Sequence, residues 1–288
     1  MNFEILREME TFTEKMFNGI IGFQEKDHPA WDESLNFEQR IKNLPLHYLV
    51  FSNADRDPEK FGPTIAHYYP LYREMKKLAA YIRQISADPK ILDVHGRNGF
   101  IGSLLANQGF QITGLRDPNE KPNQITNFFD ANCYQLIDGT LKDSDISADI
   151  IFSSWMPSNT DITAEIISAN PKLVIYIFTE HVNEFSKHRQ TGMDNAFGEQ
   201  LPQQYTKIDE WKITRPMDLF HDIWPDITSN IKEERIVRVF ANQEFCSNVT
   251  SIDTHSDKKY DWENELIMAE TAHAAKAQMK QRGFPVDV

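Results

Sequence analysis

The sequence predicts an α/β protein in which a doubly wound, mostly parallel sheet follows an N-terminal helical segment. Short apolar runs alternate with helical stretches from Lys90 onward, and the first run ends in a turn that contains two glycines. Strands that alternate with helices form a parallel sheet covered on both faces. We therefore expect this sheet to be the core of the protein.

Before the sheet, apolar residues recur at three- and four-residue steps instead of in runs. Phe3, Leu6 and Met9 begin such a series in the first predicted helix, and residues 62–85 carry another. This spacing is typical of an amphipathic helix that packs one face on a core. It predicts a helical cap or lid formed by residues 1–88.

Seven predicted strands follow the cap. In chain order their sequences are KILDV, FQITGL, YQLID, ADIIFSSWM, KLVIYIFTE, YTKIDEWKIT and EERIVRVFANQEF. The last is long enough to lie antiparallel at the edge of the sheet. Between the second and third strands, NQITNFFDANC is expected to form a helix or helical turn. The core is thus predicted to span residues 89–248, and residues 249–288 are predicted to form a helical tail.

Charge and cysteine content restrict the partners and the compartment. The 288-residue chain has a net charge of -13, which repels a phosphate backbone, so nucleic acid is not the expected partner. Cys133 and Cys246 fit no metal-ligand spacing, which predicts reduced thiols, a cytoplasmic location and no metal. No stretch reaches the roughly 20 apolar residues of a membrane span, and none resembles a signal peptide, so a soluble protein is expected.

The turn after the first strand carries the main indication of function. In the stretch ILDVHGRNGF, Asp93 ends the strand, Gly96 and Gly99 lie in the turn, and a predicted helix follows. Glycine in such a turn lets a ligand lie directly against the backbone, because a β-carbon would take the space that the ligand needs. The turn therefore predicts a ligand site at the carboxyl end of the first strand.

From about Ala66 to Phe245 the chain resembles the class I S-adenosylmethionine-dependent methyltransferases, which have a Rossmann-like fold. In that family the first strand ends in an acid followed by x-Gly-x-Gly-x-Gly. Asp93 matches the acid and Gly99 the third glycine, while His95 and Arg97 replace the first two. The resemblance implies S-adenosylmethionine as the cofactor, and methyl transfer to a small molecule or a protein as the activity.

The resemblance also implies which residues bind. Arg116 stands where the family has a ribose-binding acid, with Asp117 next to it, and Trp155 is the one residue in common with the family's Asn/Asp-Pro-Pro-Tyr/Trp motif. No catalytic side chain is implied, since the sulfonium is already activated. The implied cofactor-binding residues are Asp93, His95, Gly96, Arg97, Asn98, Gly99, Asp117, Asp138, Ser153 and Tyr72, and the implied substrate-binding residues are Trp155 and Tyr69.

The two replaced glycines leave the function open. Arg97 can pair with the carboxylate of the cofactor's methionine end, or it can plug the pocket by pairing with Asp93 or Asp117. The first alternative predicts a working methyltransferase. The second predicts a catalytically silent binding or regulatory protein on the same scaffold. An enzyme of another class with an altered ligand is a third possibility. Asp93 can also serve only to bind the amides of the turn, and Trp155 and Tyr72 can serve only in packing.

Overall fold

The computed structural model describes residues 29–41, 66–68, 70, 72–120, 122–123, 125–144, 146–182, 187–216, 232–252 and 282. The first predicted helix, Tyr69 and nearly all of the predicted tail lie outside the described residues. The division into cap, core and tail therefore stays a prediction.

The core is one seven-stranded sheet, and the predicted fold class is confirmed. The strand order is β3-β2-β1-β4-β5-β7-β6. Strands β1 to β5 pair in parallel, and β7 pairs antiparallel with both β5 and β6, so the antiparallel strand lies one place in from the edge. The strands are β1 Ile91–Asp93, β2 Ile112–Arg116, β3 Tyr134–Asp138, β4 Ile150–Ser154, β5 Leu173–Thr179, β6 Tyr205–Pro216 and β7 Lys232–Asn242.

Helices cover both faces of the sheet. Those described are α1 Phe37–Ile41, α2 Tyr72–Ile85, α3 Phe100–Ala106, α4 Thr163–Ala169 and α5 Gln243–Cys246. Leu78 of α2 and Leu105 of α3 pack with Phe152 on one face, while Ile166 of α4 packs with Ile151 on the other. None of the helices in the described ranges is long and apolar enough to cross a membrane.

The connection between β2 and β3 contains a turn but no helix in its described part. Residues 131–133 form the turn, and the amide of Phe128 donates a 2.7 Å hydrogen bond to the carbonyl of Asn98. Phe128 also stacks on Phe100 at the start of α3, with a ring-centroid distance of 5.2 Å. Of the two predicted forms, the helical turn is therefore present at residues 131–133, where the Tyr134 amide donates a 2.8 Å hydrogen bond to the carbonyl of Asp130, and Phe128 lies across the turn after β1.

The connections set the position of the site. Strand β1 lies between β2 and β4. Helix α3, which follows β1, packs on one face of the sheet, and α4, which follows β4, packs on the opposite face. In open α/β sheets, ligands bind outside the carboxyl ends of the strands where the order reverses in this way. Asp93 is in register with Phe152, so the turn after β1 faces Ser153, Ser154 and Trp155 at the end of β4.

Candidate functional site

Asp93, the last residue of β1, is held beneath the turn. Asp93 is only 1% exposed. Oδ2 accepts a 2.9 Å hydrogen bond from Tyr134 Oη, and Oδ1 accepts one of 3.3 Å from the His95 amide. Burial raises the pKa of Asp93 to about 7, although both hydrogen bonds act to lower it. Asp93 therefore joins the turn to β3 and titrates near neutral pH.

Packing requires both glycines of the turn. A β-carbon added to Gly96 would lie 2.7 Å from Tyr134 Oη, and the Gly96 amide donates a 2.7 Å hydrogen bond to Leu115. Gly99 has a φ of +85°, and a β-carbon there would lie 2.7 Å from Cβ of Phe129. The protein needs these glycines for its own fold, whether or not a ligand lies on the turn.

His95 lies between the ends of β1 and β4. Its Nδ1 is 3.2 Å from Oγ of Ser153, which is fully buried. Burial lowers the pKa of His95 to about 3, and the neighbouring charge of Arg97 lowers it further. The imidazole is therefore neutral at physiological pH and adds no charge to the site.

Arg97 has a left-handed backbone conformation, with a φ of 50°. Its Nη2 is 3.4 Å from the carbonyl oxygen of Trp155 and 3.7 Å from Oε1 of Glu120, so both contacts are long. It pairs with neither Asp93 nor Asp117 among the described residues. The buried Nε has no hydrogen-bond partner in the described part of the chain.

Trp155 lies beside Arg97, directly after the end of β4. It is 2% exposed and also has a left-handed conformation, with a φ of 59°. The indole stacks with His67 at a centroid distance of 6.0 Å and contacts Tyr68 at 5.2 Å. Within the described ranges, Nε1 of Trp155 and Nε2 of His67 are buried without a hydrogen-bond partner. Burial and the charge of Arg97 hold the pKa of His67 well below its usual value.

Three buried polar atoms that lack a hydrogen-bond partner in the described part of the chain therefore belong to three neighbouring residues. Nη2 of Arg97 contacts the backbone carbonyl of Trp155, the ring of His67 stacks on its indole, and each of the three residues contributes one such atom. Buried polar groups are nearly always hydrogen-bonded, and a group that is not requires an explanation such as an ion or ligand. Two of the atoms, Nε of Arg97 and Nε1 of Trp155, can act only as donors. The group thus suits a ligand that carries an acceptor, a carboxylate above all.

The end of β2 differs from the family pattern. Arg116 donates a 2.7 Å hydrogen bond from Nε to Oδ1 of Asp138, its neighbour in β3. Asp117 closes its own turn, with Oδ1 accepting bonds of 2.8 and 3.0 Å from the amide and Nδ2 of Asn119. Arg97, Arg116 and Asp117 line one cavity of about 20 Å³, which has room for one water. The acids of this region are engaged by other groups of the protein.

The structure brings most of the predicted site residues to the carboxyl edge of the sheet. The side chain of Asn98 closes the turn before α3, since its Oδ1 accepts a 3.2 Å hydrogen bond from the amide of Phe100. The side chains of Tyr69 and Tyr72 lie outside the described residues. Sequence reasoning did not identify His67 or the role of Tyr134. The run His67, Tyr68, Tyr69 just before α2 was the available signal for His67, while nothing local marks Tyr134.

Comparison with known proteins gives structural likeness only. No protein-family model matches the chain, and no curated protein matches it. A candidate methyltransferase from Bacillus halodurans C-125 matches with a TM-score of 0.43 at 9% identity, covering 59% of this chain and 98% of that one. A candidate methyltransferase from Thermoplasma acidophilum matches at 0.37 and 12% identity, covering 54% and 68%.

A third match is the Pyrococcus abyssi tRNA (uracil-54, C5)-methyltransferase in complex with S-adenosyl-L-homocysteine. It has a TM-score of 0.33 and 12% identity, covering 58% of this chain and 38% of that one. These matches concern the fold alone. At such low similarity they do not bear on cofactor, substrate or activity.

Proposed function

We propose that the protein is an S-adenosylmethionine-dependent methyltransferase that binds the methionine end of the cofactor at Arg97 and Trp155. The observation that carries the proposal is the pair of buried donors, Arg97 Nε and Trp155 Nε1, that have no partner among the described residues. Both belong to the carboxyl edge of the sheet beside the turn after β1, where this fold class places its ligand.

The chemistry of the donors fits the methionine end of the cofactor. A carboxylate accepts several hydrogen bonds, and a charge-assisted bond from a guanidinium is about twice as strong as a neutral one. The neutral imidazoles of His67 and His95 place no further positive charge near a cationic sulfonium. Arg97 and Trp155 would hold and orient the cofactor, and the two imidazoles would add no repulsion.

The ribose end fits less directly. Arg116 replaces the family's acid and is paired with Asp138, while Asp117 is engaged in its own turn. The Arg116 and Asp138 side chains are 30% and 62% exposed, and an exposed pair of this kind contributes little stability, so it can open at small cost. Asp138 and Asp117 are the carboxylates available to ribose hydroxyls once these contacts exchange.

In this proposal the protein contributes orientation and exclusion of water. When bound, the cofactor supplies a methyl group on an activated sulfonium. Trp155 and Tyr68 form an aromatic wall that keeps water from the carboxyl end of β4, and the turn after β1 positions Arg97. Orientation of two reactants and removal of water can account for much of the rate of such a transfer. The acceptor is a small molecule or a protein.

Binding of S-adenosylhomocysteine tests the proposal. We expect isothermal titration calorimetry to detect binding to the purified chain and the melting temperature to rise with ligand, because a ligand that binds only the folded state stabilises it. Adenosine alone should bind more weakly, since it lacks the carboxylate. Absence of heat and of any melting shift at millimolar ligand would reject the proposal.

A catalytically silent binding protein is the alternative, and the Arg116–Asp138 pair favours it. The pair occupies the place of the ribose-binding acid, at an N–O distance of 2.7 Å. In that case a ligand smaller than a nucleoside, with a carboxylate, would bind at Arg97 and Trp155. Binding of free methionine with an affinity equal to that of S-adenosylhomocysteine would support this alternative.

A further inference from the structure

A buried ion pair between Arg235 and Glu74 lies near the aromatic side chains of the candidate site. Arg235 Nη2 is 2.7 Å from Oε2 of Glu74, and Arg235 Nε is 3.4 Å from Oε1. The side chains of Arg235 and Glu74 are 3% and 1% exposed. Glu74 belongs to the first turn of α2, and Arg235 lies in β7 opposite Thr179, at the carboxyl end of β5. The pair is therefore on the same edge of the sheet as the site.

Stability alone is a weak explanation for such a pair. Removing two charges from water is costly, and apolar residues of similar size often give equal or greater stability than a buried ion pair. Retained buried charges therefore suggest a role in fixing a particular arrangement of neighbouring groups.

The pair contacts Tyr68. The guanidinium carbon of Arg235 lies 4.5 Å from the centre of the Tyr68 ring. Oη of Tyr68 is 2.8 Å from Oγ of Ser154, and the ring lies 5.2 Å from that of Trp155. A chain of contacts thus runs from Glu74 through Arg235 and Tyr68 to the end of β4.

We propose that Glu74 and Arg235 are positioning residues that hold Tyr68 so that Ser154 and Trp155 present the ligand-binding face of the site. The carboxylate of Glu74 binds the guanidinium through two of its nitrogens, which fixes the guanidinium plane. The plane then restrains the Tyr68 ring by a cation–π contact. The effect on ligand affinity rests on the proposed function, whereas the effect on Trp155 does not.

The ion pair acts on Trp155 through Tyr68, and the proposal needs no contact between the ion pair and the ligand. Burial raises the pKa of Tyr68 far above its usual value, so the phenol keeps its proton and can donate to Ser154. Ser154 is the residue before Trp155, whose amide donates a 2.8 Å hydrogen bond to the carbonyl of Ile177. A shift of Tyr68 would therefore displace Trp155, whose backbone is strained.

A double substitution separates positioning from stability. Glu74→Leu with Arg235→Leu removes both charges of the pair together, so neither residue of the pair leaves the other as an unpaired charge. We expect the melting temperature to stay equal or rise, and the affinity for S-adenosylhomocysteine to fall by about tenfold because the supporting contacts are lost. Unchanged affinity in this folded variant would overturn the proposal.

The chain offers a matched control on the same helix. Lys77 of α2 forms an ion pair of 2.6 Å with Asp209 of β6, with side chains 12% and 14% exposed. Lys77→Leu with Asp209→Asn also removes one helix–sheet ion pair and keeps an acceptor for Oη of Tyr81, which donates a 2.5 Å hydrogen bond to Oδ2 of Asp209, and it should leave affinity unchanged. An equal loss of affinity in both double variants would mean that α2 matters only for general stability, which contradicts positioning.

Arg235→Lys tests the flat contact on Tyr68. Lysine keeps the charge, but its ammonium cannot bind both carboxylate oxygens of Glu74 through a rigid planar group that also lies on the ring. We expect affinity to fall about as far as in the double variant. Full affinity in Arg235→Lys would show that the charge suffices and would overturn the route through Tyr68.

A measurement without ligand keeps the two proposals distinguishable. The near-ultraviolet circular dichroism of Trp155 is obtained as the difference between the wild-type chain and Trp155→Phe. We expect this signal to be reduced in the Glu74→Leu/Arg235→Leu background, because the indole is no longer held. If wild type does not bind S-adenosylhomocysteine, the methyltransferase proposal fails while this measurement still decides on positioning. An undiminished signal would overturn positioning by itself.

Discussion

Arg97 and Trp155 are in contact, and both have left-handed backbone conformations. Their φ angles are 50° and 59°, and Nη2 of Arg97 is 3.4 Å from the carbonyl oxygen of Trp155. Such conformations cost free energy for side chains of this size, and residues that keep them cluster at functional sites. The two strained residues come from the ends of the adjacent strands β1 and β4, where the ligand of this fold class binds.

The Arg97→Gly substitution should separate ligand binding from stability. Glycine tolerates positive φ, so the free energy of unfolding should not fall. If Arg97 binds a carboxylate, affinity for S-adenosylhomocysteine should fall by about 1.5–3 kcal/mol, measured by calorimetry. Arg97→Lys, which keeps the charge, is the control and should lose less. A gain in affinity in Arg97→Gly would mean that Arg97 plugs the pocket.

The Asp93 carboxyl should make stability fall as the pH rises. Its pKa in the folded protein is raised to about 7, above the usual 3.8, so the folded state binds more protons than the unfolded state between these values. Its stabilising contribution is complete below the unfolded value and is lost as the pH rises through 7. Asp93→Asn should remove this trend.

Urea unfolding at pH 5 and at pH 8 measures the effect. The difference in free energy of unfolding between the two pH values should differ by on the order of 1–3 kcal/mol between wild type and Asp93→Asn. Comparing the two proteins cancels the contribution of the other titrating groups. An identical pH dependence would show that Asp93 is ionised throughout and that its pKa is not raised.

Tyr134→Phe should destabilise the protein through Asp93. The substitution removes a buried 2.9 Å hydrogen bond and leaves Oδ2 of Asp93 without this donor, at a cost of about 1–3 kcal/mol. The loss should be larger at pH 8 than at pH 5, since an ionised carboxylate needs the donor more. Tyr176→Phe is a matched control, because Tyr176 is fully buried and its Oη has no partner among the described residues. Equal losses in the two variants would contradict a specific role of the Tyr134–Asp93 bond.

Gly99→Ala should lower stability independently of any ligand. The φ of +85° disfavours alanine, and the new β-carbon would lie 2.7 Å from Cβ of Phe129, so a loss of about 1–3 kcal/mol is expected in chemical unfolding. Adding Phe129→Ala removes part of the steric contact but not the backbone strain, and also leaves a cavity. The double variant should therefore lose less than the sum of the two single losses. Strict additivity would mean that the two residues do not interact. Because Gly99→Ala is expected to destabilise the fold, a loss of ligand binding in this variant would not by itself identify the cofactor site.

The sequence by itself determined the layers of the fold and indicated the turn after β1 as the place of a candidate site. Alternating apolar runs and helices are local patterns, because burial on both faces requires continuous apolar strands such as Leu173–Thr179. The turn after β1 could also be predicted, since Asp93, Gly96 and Gly99 are close together in the chain. Charge and spacing could not decide whether Arg97 binds a ligand or fills the pocket.

Only the tertiary structure decided which side chains meet at that turn. Tyr134 reaches Asp93 across 41 positions of sequence, because the fold places β3 beside β2 and leaves no side chain at Gly114 in between. His67, before α2, stacks on Trp155 after β4 in the same way. Periodicity records which face of an element is buried, but contacts between distant residues depend on how the elements pack, so the partnerless donors of Arg97 and Trp155 have no counterpart in the sequence pattern.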